Sequence, residues 1–323
     1  MSDRPSSEFN FALEKDFSEI LTNPFLDIAA RFWEPDRYEA FRVCYRSMRR
    51  IDDLVDDRKS GGVPISAGER VDYETSMTRW ISSIKSGACP DPYSSELLAT
   101  MSRFTLPLWP WERLCRAMIY DLHYDGFATF RIFLRYTEGA AVAPAAVFTH
   151  LCGVTPAANG DFAPPSYDIR RSARSLALFA YLVHIMRDFQ KDQRRGLNYF
   201  ADDLLTAHSI GRDNLRLAAR SGRVPHELRA LFAQYRVFCA NYRARARATL
   251  DELAAILPPR YQLSLEVIYG LYSLVYERID PHRGSFAEGE LNPSPEEIQN
   301  RLSRIVTEFK ARANLQGAEE KPD

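Results

Sequence analysis

Along most of the chain, apolar residues return every three or four positions, the repeat that turns one face of a helix toward a core. Alternating runs rich in valine, which would mark strands, are absent. The repeat is interrupted around residues 59–64, 86–92, 155–166 and 281–295, where proline and glycine gather. Such clusters punctuate helices. No internal repeat is present and no linker cleanly divides the chain. The pattern therefore predicts an all-α, single-domain protein over residues 11–312, with polar, disordered ends at 1–10 and 313–323.

Composition narrows the setting. Of 323 residues, 46% are apolar and 26% charged, the balance of a soluble globular protein. With 42 basic against 43 acidic residues, the basic excess of a nucleic-acid binder is missing. The five cysteines, Cys44, Cys89, Cys115, Cys152 and Cys239, form no Cys-x-x-Cys pair. That dispersed set fits a reducing cytosol and suggests neither zinc nor a redox pair. The first residues lack the sections of a signal peptide. No stretch approaches the roughly 20 apolar residues of a membrane helix. A cytoplasmic protein is expected, drawn to a membrane surface only by a greasy substrate.

Two acidic clusters change the picture. The first runs from Tyr45 through Arg49, Arg50, Asp52, Asp53, Asp56 and Asp57. At about 100° per residue, Tyr45, Arg49, Asp52 and Asp56 share one helical stripe. Like charges at i,i+4 destabilise a helix by about 0.2–0.5 kcal/mol per pair, so helix stability does not explain Asp52/Asp56 and Asp53/Asp57. The second cluster runs from Tyr181 to Gly196. Leu178, Leu182, Ile185 and Phe189 mark a buried side, and Tyr181, His184, Asp188, Asp192 and Arg195 align beside it. Carboxylates bordering an apolar face are costly unless paired or metal-bound. Alone, the first cluster also fits a solvated acidic face, and the second also fits structural salt bridges. Together they give two carboxylate pairs, each one turn apart and each near arginine. Magnesium takes one or two carboxylates plus substrate phosphates, and Arg49, Arg187 and Arg195 could grip phosphate oxygens.

These motifs resemble those of the squalene/phytoene synthase family, in the family's order from about residue 20 to 280. Tyr45 to Asp56 resembles its Tyr-x-x-x-Arg-x-x-Asp-Asp-x-x-Asp signature. His184 to Gly196, followed by Tyr199, resembles Asn-x-x-Arg-Asp-x-x-x-Asp-x-x-Arg-Gly. Between them lie Asp121 and Tyr136, the latter followed by the small residues Gly139 to Ala143. Leu257, Pro258 and the segment from Tyr272 to Ile279 resemble the last helix of the family, and Phe25 falls on its first.

The resemblance implies an all-α isoprenoid synthase fold with helices around a central apolar cavity. It implies head-to-head joining of two farnesyl or geranylgeranyl diphosphates through a cyclopropylcarbinyl diphosphate. Squalene would arise by hydride from NADPH, and dehydrosqualene or phytoene by proton loss. Asp52, Asp56, Asp188 and Asp192 would bind Mg2+, Arg49 would meet diphosphate, and Tyr136 would act near the cation and the proton transfer. Phe25, Tyr45, Ala140, His184, Arg187, Arg195, Tyr199 and Tyr272 complete the expected substrate site, in a monomer or homodimer. On the residues alone, Thr129, Ile132, Tyr136, Gly139, Ala140 and Ala143 form one stripe, which fits either room for an isoprenoid chain or close helix packing.

Three positions depart from the family pattern. His184 replaces the usual Asn, Ala140 and Ala143 replace glycines, and Asn23-Pro24 precede Phe25. They bear on the second half-reaction and the product. No Gly-x-Gly-x-x-Gly turn identifies a dinucleotide fold, which leaves NADPH open. A terpene cyclase, a head-to-tail prenyl transferase and a non-catalytic assembly factor are the rival readings. The cyclase's second metal motif does not fit residues 188–195, the doubled Asp of head-to-tail enzymes is missing there, and the four retained aspartates weigh against the assembly factor.

Overall fold

The computed structural model describes residues 20–21, 23–60, 63–88, 91–158 and 160–319. The expected disordered start, residues 1–10, and Cys89 lie outside them. The chain opens with a short helix α1 (Phe25–Ala30) and the long α2 (Pro35–Ser60). Next come α3 (Ala67–Ser86), α4 (Pro92–Arg103), α5 (Trp109–His123) and α6 (Phe130–Thr137). A π-helical turn, Glu138–Val142, joins α6 to α7 (Ala143–Gly153).

The second half holds α8 (Ile169–Arg187), α9 (Phe189–Arg194), α10 (Asp202–Ala207) and α11 (Arg212–Ser221). It closes with α12 (His226–Ala254), α13 (Pro259–Arg278), α14 (Glu288–Leu291) and α15 (Pro295–Glu319). The all-α expectation holds. In the third predicted break a two-residue antiparallel hairpin pairs Thr155 with Ala163 and Pro156 with Phe162. The last helix continues to Glu319, past the limit at residue 312 that composition suggested.

The punctuation seen in the sequence has identifiable causes. Ser66 and Glu69 form a reciprocal capping box at the start of α3, and Gly87 ends that helix at φ 73°, a left-handed position that glycine adopts without steric cost. Asp91, Thr129 and Asp168 cap α4, α6 and α8 by accepting backbone N–H bonds.

Helix α8 runs through the middle, packing on α12, α7, α13 and the π turn, while α2 lies across α4, α5 and α7. Leu178, Leu182, Val183 and Met186 of α8 are wholly buried. Polar pins fix the outer helices. The Trp33 indole donates to Ser264 Oγ at 2.8 Å, and Ser264 donates to the Ala29 carbonyl at 2.9 Å, tying α1 to α13. Buried Arg37 donates to the carbonyls of Leu151 and Val154, which ends α7.

The π turn corrects the small-residue stripe. One extra residue per turn rotates the positions after it, so the 3.6-residue spacing used to align 129–143 fails there. Thr129 is a cap, and Ala143 is buried away from the cavity described below. Gly139 faces α5 so closely that an added Cβ would lie 2.2 Å from the Arg113 carbonyl oxygen and 2.7 Å from Ala117 Cβ. Glu138 anchors the turn, accepting from Arg170 at 2.7 Å and Arg174 at 2.6 Å. Close packing therefore claims Gly139 and Ala143, and the cavity claims Tyr136 and Ala140.

Gly139→Ala is expected to lower the unfolding free energy by about 1–3 kcal/mol, the usual cost of overpacking. Ala141→Gly, on the cavity side of the same turn, should cost no more than about 1 kcal/mol. Denaturant titrations of the two variants, compared with the parent, check the contrast.

Candidate active site

A chamber of about 400 Å³ opens between α2, the π turn, α7, α8, α9 and α13. Its inner wall is apolar and includes Ala145, Phe148, Ala177, Ile185, Leu265 and Ile268. Its outer end is polar. From α2 come Tyr45, Arg49, Asp52 and Asp56, joined by Asp53 and Asp57. From the opposite side come His184, Asp188, Lys191, Asp192 and Arg195. The two acidic clusters therefore line one cavity.

The second cluster is not one uninterrupted helix. Asp188 stands at φ −89° and ψ 6°, between α8 and α9. Hydrogen bonds from Asp188 N to the His184 carbonyl and from Asp192 N to the Asp188 carbonyl, each 2.9 Å, carry the chain through the kink. That continuity keeps Asp188 and Asp192 on the same side.

The carboxylates differ sharply in their surroundings. Burial and the neighbouring Asp56 push Asp52 up to about 7, although Arg49 donates to it at 2.6 Å. Arg49 also pairs with Asp53. Burial raises Asp56 as well. Burial and Asp188 push Asp192 up to about 7, and Asp56, from the facing wall, adds to the effect. For Asp188 burial acts upward too, but His184 and the Arg187 guanidinium outweigh it and hold the carboxyl below its ordinary value. Arg187 donates to Asp188 Oδ1 at 2.7 Å and Oδ2 at 3.2 Å, and to His184 Nδ1 at 2.8 Å.

His184 Nδ1 thus acts as an acceptor, which leaves the hydrogen on Nε2, 3.4 Å from Asp188 Oδ2. Burial, and then the adjacent Arg187, lower the imidazole to about 4. Its Nδ1 lone pair is thus occupied by Arg187, while the ring lines the polar end of the chamber beside Asp188.

Deeper in, Tyr136, Tyr181, Tyr199 and Tyr272 line the chamber. Tyr136 is nearly wholly buried and donates to Asp121 Oδ2 at 2.5 Å. Two expected site residues stand one layer back. Phe25 meets Tyr272 edge-on, with ring centroids 5.1 Å apart. Arg187 is occupied by Asp188 and His184 behind the wall. Neither lines the chamber. Both were aligned by sequence position alone, which does not say which layer a side chain occupies.

Sequence reasoning missed Lys191, which lines the polar end, and Lys59, whose ammonium lies 3.5 Å from Asp121 Oδ1. A buried acid flanked on α5 by apolar Leu114, Ala117, Met118 and Leu122 was the available signal for a partner to Asp121.

Among the described residues no group of three or more acid, imidazole or thiol side chains forms a ready-made metal cage. The donor set nevertheless suits a hard divalent cation: paired carboxylate oxygens, with Asp52 and Asp192 raised first by burial and then by the neighbouring acid, and incompletely balanced by arginine. Such ions bind through one or two carboxylates and complete their shell with water and phosphate.

Comparison with known proteins places the fold. Solved structures that resemble it include the following two. A dehydrosqualene synthase superposes with a TM-score of 0.68 at 16% identity, covering 94% of this chain and 97% of its own. The squalene synthase HpnC from Alicyclobacillus acidocaldarius superposes with a TM-score of 0.63 at 16% identity, covering 84% and 92%. The family model for squalene/phytoene synthase matches residues 27–296, and the chain belongs to that family. It is 24% identical over 224 residues to phytoene synthase 2 of Solanum lycopersicum and 25% identical over 224 residues to phytoene synthase 3 of Zea mays. Those matches cover 68% of this chain but 64% and 47% of the relatives.

The raised acids fix a pH dependence for metal-free protein. A carboxyl whose folded pKa lies above its unfolded value, about 3.9 for Asp, supports folding below that value. It loses this contribution as pH rises through the folded pKa, about 7 for Asp52 and Asp192. Melting temperature in EDTA should therefore fall between pH 5 and 8 on account of these two groups. Asp52→Asn or Asp192→Asn should flatten the fall, giving a variant more stable than the parent at pH 8. Asp188→Asn should destabilise above pH about 4, because its folded carboxyl is lowered.

Proposed function

We propose that this protein joins two isoprenyl diphosphates, farnesyl or geranylgeranyl, head to head, as a magnesium-dependent transferase. The observation that carries the reading is the division of one chamber into an acid-rich polar end and an apolar inner wall. A prenyl diphosphate has the same division.

Asp52 and Asp56 on one side, with Asp192 and Asp188 on the other, would hold Mg2+. Bound magnesium would take up the negative charge of the leaving diphosphate. Arg49, Lys191 and Arg195, on the rim of the same end, supply fixed donors to phosphate oxygens. Arg187 holds Asp188 ionised and aimed, and His184 supports it from the other side. The apolar wall keeps water from an allylic cation and folds the tails back on one another. Joining proceeds through a cyclopropylcarbinyl diphosphate, and a second ionisation opens the ring. Squalene results if NADPH delivers hydride, dehydrosqualene or phytoene if a proton leaves.

The chemistry is read by incubating the protein with each diphosphate and Mg2+, with and without NADPH, and extracting the lipids. A coupled C30 or C40 product is expected; a cyclic C15 or C20 product, or a chain extended by five carbons when isopentenyl diphosphate is also supplied, would defeat the proposal. Asp52→Asn and Asp188→Asn should each abolish diphosphate release while circular dichroism shows unchanged helix content. Full activity in either would contradict the site.

Binding gives a second check. Mg2+ and a non-hydrolysable diphosphate analogue added together should raise the melting temperature more than the sum of their separate effects. A stable protein with no such synergy would favour an assembly role.

A further inference from the structure

We propose that Asp121, held by Lys59, carries away the proton that Tyr136 takes from the joining substrate. The inference rests on the head-to-head reaction proposed above and concerns two residues that lie outside the chamber lining.

Closing a three-membered ring requires one carbon to lose hydrogen as a proton. A base is needed near the apolar wall, yet the chamber's carboxylates stand at the polar end. Tyr136 is the chamber residue joined to an acid outside that end. Its hydroxyl hydrogen is given to Asp121 at 2.5 Å, so its oxygen keeps lone pairs and has no hydrogen left to offer a substrate. Asp121 is 7% exposed and sits on α5 behind the wall. Lys59, from the end of α2, lies 3.5 Å away and donates to the Tyr124 carbonyl at 3.1 Å. Tyr124 is 57% exposed, which brings the far end of this chain of contacts to water.

In the step itself, the C–H bond of the closing carbon breaks. Its electron pair becomes the ring bond to the cationic carbon. The proton arrives on the Tyr136 oxygen as the phenolic O–H bond breaks, and the phenolic proton passes to the Asp121 carboxylate. The cation and the carboxylate each lose their charge, and no oxidant or reductant takes part. Burial raises Asp121 to about 6 even though Lys59 acts against it. The group is thus ionised at rest near neutrality and able to hold a proton briefly before releasing it beside Lys59.

The alternative is a satisfied buried salt bridge that merely supports Tyr136. The two are separated by following diphosphate release and extracted lipids together. Asp121→Asn should keep most diphosphate release but lower coupled product per diphosphate released by about 100-fold, the usual scale of a lost proton transfer. Prenyl alcohols should take its place. Asp121→Glu should restore most coupling, and Lys59→Met should shift the partition in the same direction by a smaller factor. If the Asn variant does not fold, Lys59→Met, which leaves the Tyr136–Asp121 hydrogen bond in place, gives the same readout at its smaller factor. Release and coupling falling together, or coupling unchanged in Asp121→Asn, would overturn the relay alone. A parent protein that releases diphosphate but couples nothing would overturn the reaction and the relay with it.

Discussion

The structure depends on holding like charges together at the edge of an apolar space. Asp56 on α2 and Asp192 on α9 feel one another across the chamber, and Asp52 and Asp188 each add to the repulsion on their own side. In water such neighbours would separate, because nothing in the free chain favours their approach. Here the helices that carry them are fixed elsewhere. The α8 segment is buried along its length by Leu178, Leu182, Val183 and Met186, and α2 is pinned by Arg37 to the end of α7. Apolar burial, at roughly 25 cal/mol per Å², supplies the free energy that keeps the acids in place. The unsatisfied charge is then available to a cation.

The four principal acids do not share that burden equally. Asp188 is met by two bonds from Arg187 and by the Nε2 side of His184, so its negative charge is largely balanced within the protein. Asp52 is partly balanced by Arg49, while Asp192 has the more distant influence of Lys191, Arg195 and Arg187. The histidine that departs from the family pattern lines the chamber and at the same time accepts from Arg187. With its Nδ1 lone pair taken by Arg187, the imidazole can offer the chamber only its Nε2 side.

Much of this was legible in the sequence because it rests on local periodicity. The carboxylate pairs are one turn apart, and one turn is enough to place Asp52 with Asp56 and Asp188 with Asp192 on the chamber side. The breaks were legible because Ser66, Asp91 and Asp168 cap helices through their own side chains. What the sequence hid was either non-local or off-period. The extra residue of the π turn has no composition of its own, so Gly139 and Ala143 were grouped with Tyr136 although they pack the other way. Phe25 and Arg187 sit a layer behind the wall, and depth is set by tertiary packing. Lys59 lies 62 residues from Asp121, and no spacing rule links the two.

The same separation of layers bears on how one cavity can handle both an anion and a cation. In the proposed reaction the polar end would attract diphosphate, and it combines its acids with Arg49, Lys191 and Arg195. A carboxylate placed against the apolar wall would instead be drawn to a substrate cation and would trap it. Tyr136 avoids that conflict. Its neutral ring and oxygen face the chamber, and the negative charge it answers to is set back on Asp121, shielded by Lys59. In the proposed reaction the field that steadies a cation would thereby be softened by one bond's length of neutral oxygen, while the charged groups that would grip diphosphate stand at the mouth. A chamber arranged this way would keep the leaving group and the carbon skeleton apart without a partition, through the placement of charge alone.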